Sequence, residues 1–600
     1  MRERVTARSS DSRIERVVFI GLVVTAFIYV LLRAIHVPII HDEAVSFFAY
    51  ATTGAFQPGY AFWDAGNHLL NSAFGHAGFL LFGHAPLALR AGSVLCFLVY
   101  AFYAWRFGHF IQNRLIRNLL RPALLLSPFV LDFFSLFRGY GPALAFGLMG
   151  SYHAVRYARS DGWPHACLAL LGCMLAAFAS LSTVLMAATV LALLAVLAFT
   201  LESTWPRRFA LSLGLLLVGV PLLLYLIWYG QELSARGMLY YGSPDGLVDG
   251  TLASLCRYVI GNESIVLRWC MVGLLSVALM AAPWPQRHAG KVPWDALRVL
   301  VVCMVCDLFA RLALWWSKGV LFPVDRVAVH LVPLFLIIVA LALDRFSRPW
   351  PAVAYMALVF LFLPLRSLSL INLQRTLLWP EMEMNEELIT TIEERQARSP
   401  RPLLISCSSG FPLLWRFVHY NRPVPAPILT EKGYPIDQAD LLLQSDRNDA
   451  VPPGYTPVWE SKTDGVRVFE RDHPMQLAEM HDTTIVIPRS TGPFFNLWVS
   501  PEGEASRPSV LLDVALRLRT TGRNPALHLV SDAHGAGDSV FLYDGLPLHH
   551  AHDAWNGDTL RIVRHFPRLE PDDWAALYLW MVNGRWVEGE CRVRTYRILD

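Results

Sequence analysis

Behind a polar segment of residues 1–16 that carries five arginines, the first sustained apolar run extends from Val17 to Leu32. Its length suits one membrane-spanning helix, and no small-residue cleavage site follows, which predicts an uncleaved anchor. Similar runs recur at 86–105, 119–136, 140–155, 165–180, 182–200, 209–229, 265–282, 297–316, 327–343 and 350–368. Together they predict about eleven transmembrane helices, the fifth and sixth separated by almost nothing. After Arg375 the pattern changes. Residues 381–398 read as an acid-rich amphipathic helix, 402–406 as a buried strand before a Ser-Ser-Gly turn, 411–420 as a helix and 439–443 as a strand. From Thr483 onward short alternating runs separated by Gly, Pro, Asp and Asn predict a β-sandwich.

The expected organisation is therefore a tail (1–16), a helical membrane domain (17–370) with an outer loop at 34–85, a small α/β unit (375–480) and a β-sandwich-like domain (481–600). No internal repeat is visible.

Composition agrees with this class. Of 600 residues 54% are hydrophobic and 16% charged, with mean hydropathy +0.39, too apolar for a soluble globular chain. The distribution of cations sets the expected orientation. Segments 1–16, 106–121, 156–159, 207–208, 287–298 and 345–348 hold eighteen Lys or Arg; the alternate segments hold only Arg138, Arg236, Arg257, Lys318 and Arg326. By the positive-inside rule the N-terminus is cytoplasmic, and an odd number of spans puts the C-terminal domains outside, in the periplasm of a bacterial inner membrane. Lysine occurs only at 291, 318, 432 and 462, so arginine is the default cation and an Arg alone is weak evidence for phosphate. That bias suggests a GC-rich, bacterial genome. Six of the nine cysteines lie in apolar runs and read as packing. Nothing in the charge pattern marks a nucleic-acid partner.

Chemistry concentrates between Arg33 and Arg90, a stretch with no Lys or Arg between them. It contains His41-Asp42-Glu43 and then Asp64, Asn67 and His68. Carboxylates near a bilayer surface are hydrated, paired or functional. Asp42 and Glu43 diverge by about 100° on a helix, so one can serve as general base while the other orients it or binds the substrate. The same charges could simply cap the next helix. His41 and His68 could complete a divalent-ion site with either acid, or hydrogen-bond a substrate; no other cofactor is indicated. Arg138, Lys318 and Arg326 lie at predicted helix mouths, where they could hold a lipid phosphate or snorkel to headgroups. Tyr140, beside Arg138, could contact a sugar or anchor the interface. Tyr240, Tyr241 and Asp245 could line a groove in the loop 230–264. Asp307 and Arg311, at i, i+4 within a span, read as a self-neutralising pair.

Three segments in order carry a family resemblance: His41-Asp42-Glu43, then Gly66-Asn67-His68-Leu69-Leu70-Asn71-Ser72, then Leu81-Phe82-Gly83 through Ala88-Leu89-Arg90. Phe137-Arg138-Gly139-Tyr140 and Asp325-Arg326 through Pro333-Leu334 add weaker matches. Over residues 15–370 the chain resembles the GT-C superfamily of polyprenyl-phosphate-dependent glycosyltransferases, in particular the protein O-mannosyltransferase and aminoarabinose transferase branch. The resemblance implies Asp42 as general base, inverting transfer from a polyprenyl-phosphate sugar, and a lipid, glycan or protein acceptor. Gly66 replaces an Asn of the family pattern, and the Lys-Pro-Pro of the aminoarabinose branch is absent. Two other classes remain open from the sequence: a flippase for lipid-linked sugars, and a non-catalytic envelope protein whose sandwich, with Trp555, Trp574, Trp580 and Trp586, binds glycan.

Overall fold

The protein was analysed as a computed structural model that describes residues 12–599 apart from 160–161, 202–204, 284–293, 381–383, 400–402, 408–410, 421–427, 430–438, 445–449, 463–464, 490–491, 502–507, 521–526, 549–558 and 582–586. Trp555, Trp586, the Ser-Ser-Gly turn and most of the N-terminal tail therefore lie outside the described residues. The chain divides into two compact units. One comprises residues 1–37 and 63–378, the other 38–62 and 379–600.

The first unit is helical. Helix Arg13–His36 starts at a capping box in which Ser12 accepts from the Glu15 amide and Glu15 from the Ser12 amide. The Glu15 carboxylate also accepts from Arg117 at 3.3 Å, which ties this end to helix Arg114–Leu125. At the other end Arg33 pairs with Asp132, both buried, and donates to the Asn372 carbonyl at 2.8 Å. Arg90, fully buried, donates to the carbonyls of Ala34 (3.2 Å) and Val37 (2.7 Å), the orphan acceptors of the helix terminus. The arginine ending the Leu81–Arg90 motif thus fixes where the chain leaves the first helix.

Five helices among the described residues are long and apolar enough to cross a membrane: Arg13–His36, Pro86–Gly108, Leu181–Thr200, Trp205–Ala235 and Pro351–Ser369. A sixth candidate is the pair Leu247–Ile260 and Ile265–Ala281, bent by 103°. Other predicted runs differ for visible reasons. The run 119–136 is broken between Leu125 and Pro128, because Pro128 cannot continue the preceding helix and Ser127 takes an extended backbone. Helix Ala296–Lys318 carries Asp307 and Arg311 in its middle, where both are buried and Arg311 grips Asp307 with two bonds of 2.8 and 3.1 Å. The loop expected at 34–85 is largely helical, with His41–Ser46, a π turn at Phe47–Ala51 and helix Leu69–Phe82.

In the second unit, helix His41–Ser46 and its π turn pack on helix Phe411–Val418 and Tyr420; the Phe47 ring meets Phe417 and Tyr420 edge-on, each at 5.0 Å. A five-stranded mixed sheet follows, of β1 (Leu404–Cys407), β2 (Ile428–Leu429), β3 (Leu441–Gln444), β4 (Tyr455–Glu460) and β5 (Arg467–Arg471), ordered β2-β1-β3-β5-β4. Strands β1, β2 and β3 run parallel. The remainder is two antiparallel four-stranded sheets. One is ordered β10-β9-β12-β7 and the other β11-β8-β13-β6, from β6 (Gln476–Ile487), β7 (Phe494–Val499), β8 (Val510–Thr520), β9 (Leu527–Gly535), β10 (Ser539–Pro547), β11 (Leu560–Phe566), β12 (Trp574–Met581) and β13 (Val587–Leu599). Alternate residues of both sheets, including Leu512, Leu516, Leu529 and Leu577, enter one buried cluster, which makes the pair a sandwich. Cys407 and Cys591 are both buried and unbridged.

Candidate functional site

The sequence-derived site residues fall in both units. His41, Asp42 and Glu43 belong to the second. Ile40 is the N-cap of their helix and has no capping side chain of its own, so the Glu43 carboxylate fills the role by accepting the Ile40 amide at 3.1 Å. Glu43 is fully buried in that bond, whereas Asp42 next to it is only half-buried. Glu43 thus holds the first turn of the helix that carries Asp42. His41 Nδ1 is buried and meets no hydrogen-bond partner.

In the first unit Asp64, Asn67, His68, Arg138, Tyr140 and Arg326 gather. A tight turn carries the chain from Trp63 to the helix that starts at Leu69. The Asp64 carboxylate accepts the Gly66 amide, its carbonyl accepts the Asn67 amide at 3.1 Å, and the Tyr229 hydroxyl donates to the same carbonyl at 3.3 Å. Asn67 accepts from Ser72 at 2.9 Å, and Asn71, one turn on, accepts from Ser93 at 3.2 Å. Ser93 also donates to the Arg138 carbonyl at 3.3 Å, so one buried polar chain links the turn to the Arg138 segment.

Two glycines let these segments approach. A Cβ at Gly66 would sit 2.7 Å from Asp64 Oδ1 and 3.7 Å from both terminal nitrogens of Arg138. The guanidinium thus lies over the site where the family pattern has an Asn side chain. A Cβ at Gly139 would overlap the Ala179 carbonyl oxygen and come within 2.7 Å of His68 Cβ and Cγ.

His68 is 6% exposed and lies edge to face with Tyr140, 4.8 Å between ring centres. Burial, then the charges of Arg138 and Arg326, hold its pKa well below the usual histidine value, so the ring is neutral. It hydrogen-bonds the Ala179 backbone, and Nε2 meets no partner. Nδ1–H is then the donor to Ala179, and Nε2 presents a buried lone pair suited to an incoming hydroxyl.

Arg138, 3% exposed, lies 5.9 Å from the Tyr140 ring centre, and Arg326 lies 4.0 Å from that of Tyr241. The Tyr241 hydroxyl donates to Asp325 at 2.7 Å, and burial keeps that phenol protonated well above its ordinary range. Asp325 has φ +48°, held by its amide's 2.8 Å bond to Ser254. The cluster therefore offers two guanidiniums, two phenols and a neutral imidazole, buried at His68, Arg138 and Tyr140 and open to solvent at Tyr241, an arrangement able to bind an anionic group bearing hydroxyls.

Lys318 is not gathered into this cluster; it is exposed at the end of its helix, before the left-handed Gly319. Tyr240 is likewise exposed, and Asp245 accepts from Ser243. Tyr140 is 5% exposed, packed between His68 and Phe133. Among the described residues no three His, Cys, Asp or Glu side chains come together as an ion site. Tyr229, Ser93 and the Ala179 carbonyl were not legible as site residues, since each reaches the turn from a distant helix. Only the i, i+4 spacing of Asn67 and Asn71 was a local signal.

No family model and no curated protein matches the chain. Among solved structures it is similar to ArnT from Cupriavidus metallidurans in the apo state, at 13% identity and TM-score 0.42 over 76% of this chain and 97% of that one. The same protein bound to undecaprenyl phosphate gives 11% and 0.45 over 76% and 98%. Arabinosyltransferase EmbB from Mycobacterium smegmatis gives 11% and 0.34 over 99% and 66%.

Proposed function

We propose that the protein is a membrane glycosyltransferase of GT-C type that moves a sugar from a polyprenyl phosphate to a lipid, glycan or protein acceptor on the outer face of the cytoplasmic membrane. The observation that carries this reading is the cluster of buried Arg138 and neutral, buried His68 with half-buried Arg326, formed by segments that resemble the GT-C motifs in order. A lipid phosphate supplies the anion for the guanidiniums, and its sugar supplies hydroxyls for His68 Nε2.

Asp42 acts as general base in this proposal. The acceptor oxygen bonds to the anomeric carbon while its proton passes to the Asp42 carboxylate. The bond from that carbon to the phosphate oxygen breaks with inversion, and its electron pair leaves on the phosphate. Cations or hydrogen-bond donors at the leaving phosphate stabilise such growing negative charge. Glu43 holds the turn that carries Asp42.

The reading is tested by binding. Purified protein in nanodiscs binds polyprenyl phosphate, and Arg138→Gln weakens binding at least tenfold, because a charge-assisted hydrogen bond of about 1.5–3 kcal/mol is lost. Equal affinity of Arg138→Gln and wild type would remove the phosphate assignment.

A further inference from the structure

Asp307 and Arg311 lie buried in the middle of helix Ala296–Lys318. A pair at this spacing can neutralise itself and do nothing else. The bonds of the guanidinium show more. Nε and Nη2 grip the carboxylate at 2.8 and 3.1 Å, but the shortest bond, 2.7 Å, runs from Nη2 to the Ser182 carbonyl, and the same nitrogen lies 3.3 Å from His330 Nε2. Asp307 thus fixes the plane of a fork whose outer edge reaches two other segments.

Those segments are two walls of the candidate site. Ser182 belongs to the turn Leu181–Thr183, just after Ala179, whose backbone holds His68 and whose carbonyl oxygen excludes a Cβ at Gly139. The turn is tied within itself, because the Thr183 hydroxyl donates to the Ser180 carbonyl at 3.0 Å and the Ser180 and Ser182 hydroxyls share a bond of 2.9 Å. A shift of Ser182 is therefore passed to Ala179, and so to His68. His330 stands four residues after Arg326, beyond the short helix Asp325–Ala328 whose first amide is held by Ser254. Packing alone does not lock the walls together: a cavity of about 20 Å³ is lined by Thr183 and Ala187 from one and by His330 and Pro333 from the other, room for about one water molecule. Two apolar side chains would fill the place of Asp307 and Arg311 without the cost of desolvating two charges, so stability alone does not explain the pair.

We infer that Arg311, oriented by Asp307, is a positioning residue that clamps the turn Leu181–Thr183 to the segment 326–330 and so sets the spacing of His68 and Arg326 around the donor's phosphate. The inference rests on the reading of that cluster as a lipid-phosphate site.

The test uses the full chain in nanodiscs and compares wild type, Arg311→Lys, and the double variant Asp307→Leu with Arg311→Met, which removes both charges and keeps apolar bulk. Melting temperature, affinity for polyprenyl phosphate, and amide hydrogen exchange at 181–183 and 326–330 are read on each. The double variant is expected to melt at the wild-type temperature or above, since apolar replacement of a buried ion pair is often neutral or stabilising. It is nevertheless expected to bind the lipid about tenfold more weakly and to exchange about tenfold faster at both segments. Arg311→Lys keeps a charge beside Asp307 but lacks the planar fork, and is expected to weaken binding as well. Wild-type affinity and exchange in a double variant of unchanged melting temperature would overturn the inference and leave the pair self-contained. If the double variant melts lower, Arg311→Lys decides, and wild-type affinity and exchange there would overturn it equally. Failure of the wild type itself to bind the lipid would count against the reading of the cluster, while exchange in the variants still decides whether Arg311 joins the two segments.

Discussion

Gly139→Ala probes the candidate site without touching a charged group. The added methyl would overlap the Ala179 carbonyl oxygen and stand 2.7 Å from His68 Cβ and Cγ. Carbon atoms pack at about 3.5–4.0 Å, so His68 must retreat by about 1 Å or the Arg138–Tyr140 segment must move by as much. Because one of the opposing atoms is backbone, no rotamer change relieves the overlap. The stability cost is about 1–3 kcal/mol. A 1 Å displacement at a positioning group costs about 10²-fold in rate. Gly147→Ala, in helix Tyr140–Ala158, is the control, since its Cβ would meet only Ala176 Cβ, at an ordinary 3.8 Å. Melting temperature in detergent and kcat/KM for sugar transfer from a polyprenyl-phosphate donor are measured on both. Gly139→Ala is expected to lose about 10²-fold in kcat/KM and Gly147→Ala to match wild type. If the two variants behave alike, the close approach of Gly139, Ala179 and His68 does not organise the site.

Other outcomes follow from single contacts. Asp132→Asn leaves buried Arg33 without its counter-charge; breaking such a pair costs about 3–5 kcal/mol, seen as a lower melting temperature, and Arg33→Met with Asp132→Leu recovers much of it. Tyr241→Phe removes the 2.7 Å bond to Asp325 beside Arg326, and is expected to raise KM for the lipid donor about tenfold with little change in kcat; a change in kcat alone would contradict a binding role. At His534 desolvation is the largest single influence and opposes the charged form, but Asp532 and Asp538 together outweigh it and the pKa is raised. Stability from that ion pair is full below the unfolded value of 6.5 and is lost as pH rises through the raised value. The melting temperature is therefore expected to fall as pH rises from the unfolded value of 6.5 through the raised folded value, and His534→Gln should show a smaller fall.

The helical class and the β-rich C-terminal region were legible because each has a local cause: apolar runs of spanning length mark helices, and alternation marks strands. What was hidden depends on distant partners or on small interruptions. The run 119–136 reads as continuous by hydropathy, yet one proline divides it at 128. Strand β7, Phe494–Val499, departs from the expected alternation, because its residues are near-continuously apolar. Helix Leu69–Phe82 was read as loop because at 14 residues it is too short to span. For Glu43 the sequence leaves both a catalytic and a helix-capping role open, and the backbone adds its bond to the Ile40 amide. Lys318 reads as a phosphate ligand by its place at a helix mouth, and nothing local reveals that its side chain stays exposed.

The most direct test of the central claim is single-turnover transfer of a radiolabelled sugar from polyprenyl phosphate by wild type and by Asp42→Asn, using membranes in which both are folded and binding the lipid. Wild type is expected to transfer the label with inversion at the anomeric carbon, and Asp42→Asn to be slower by about 10²- to 10⁴-fold with lipid affinity unchanged. Transfer by Asp42→Asn at the wild-type rate would contradict the account.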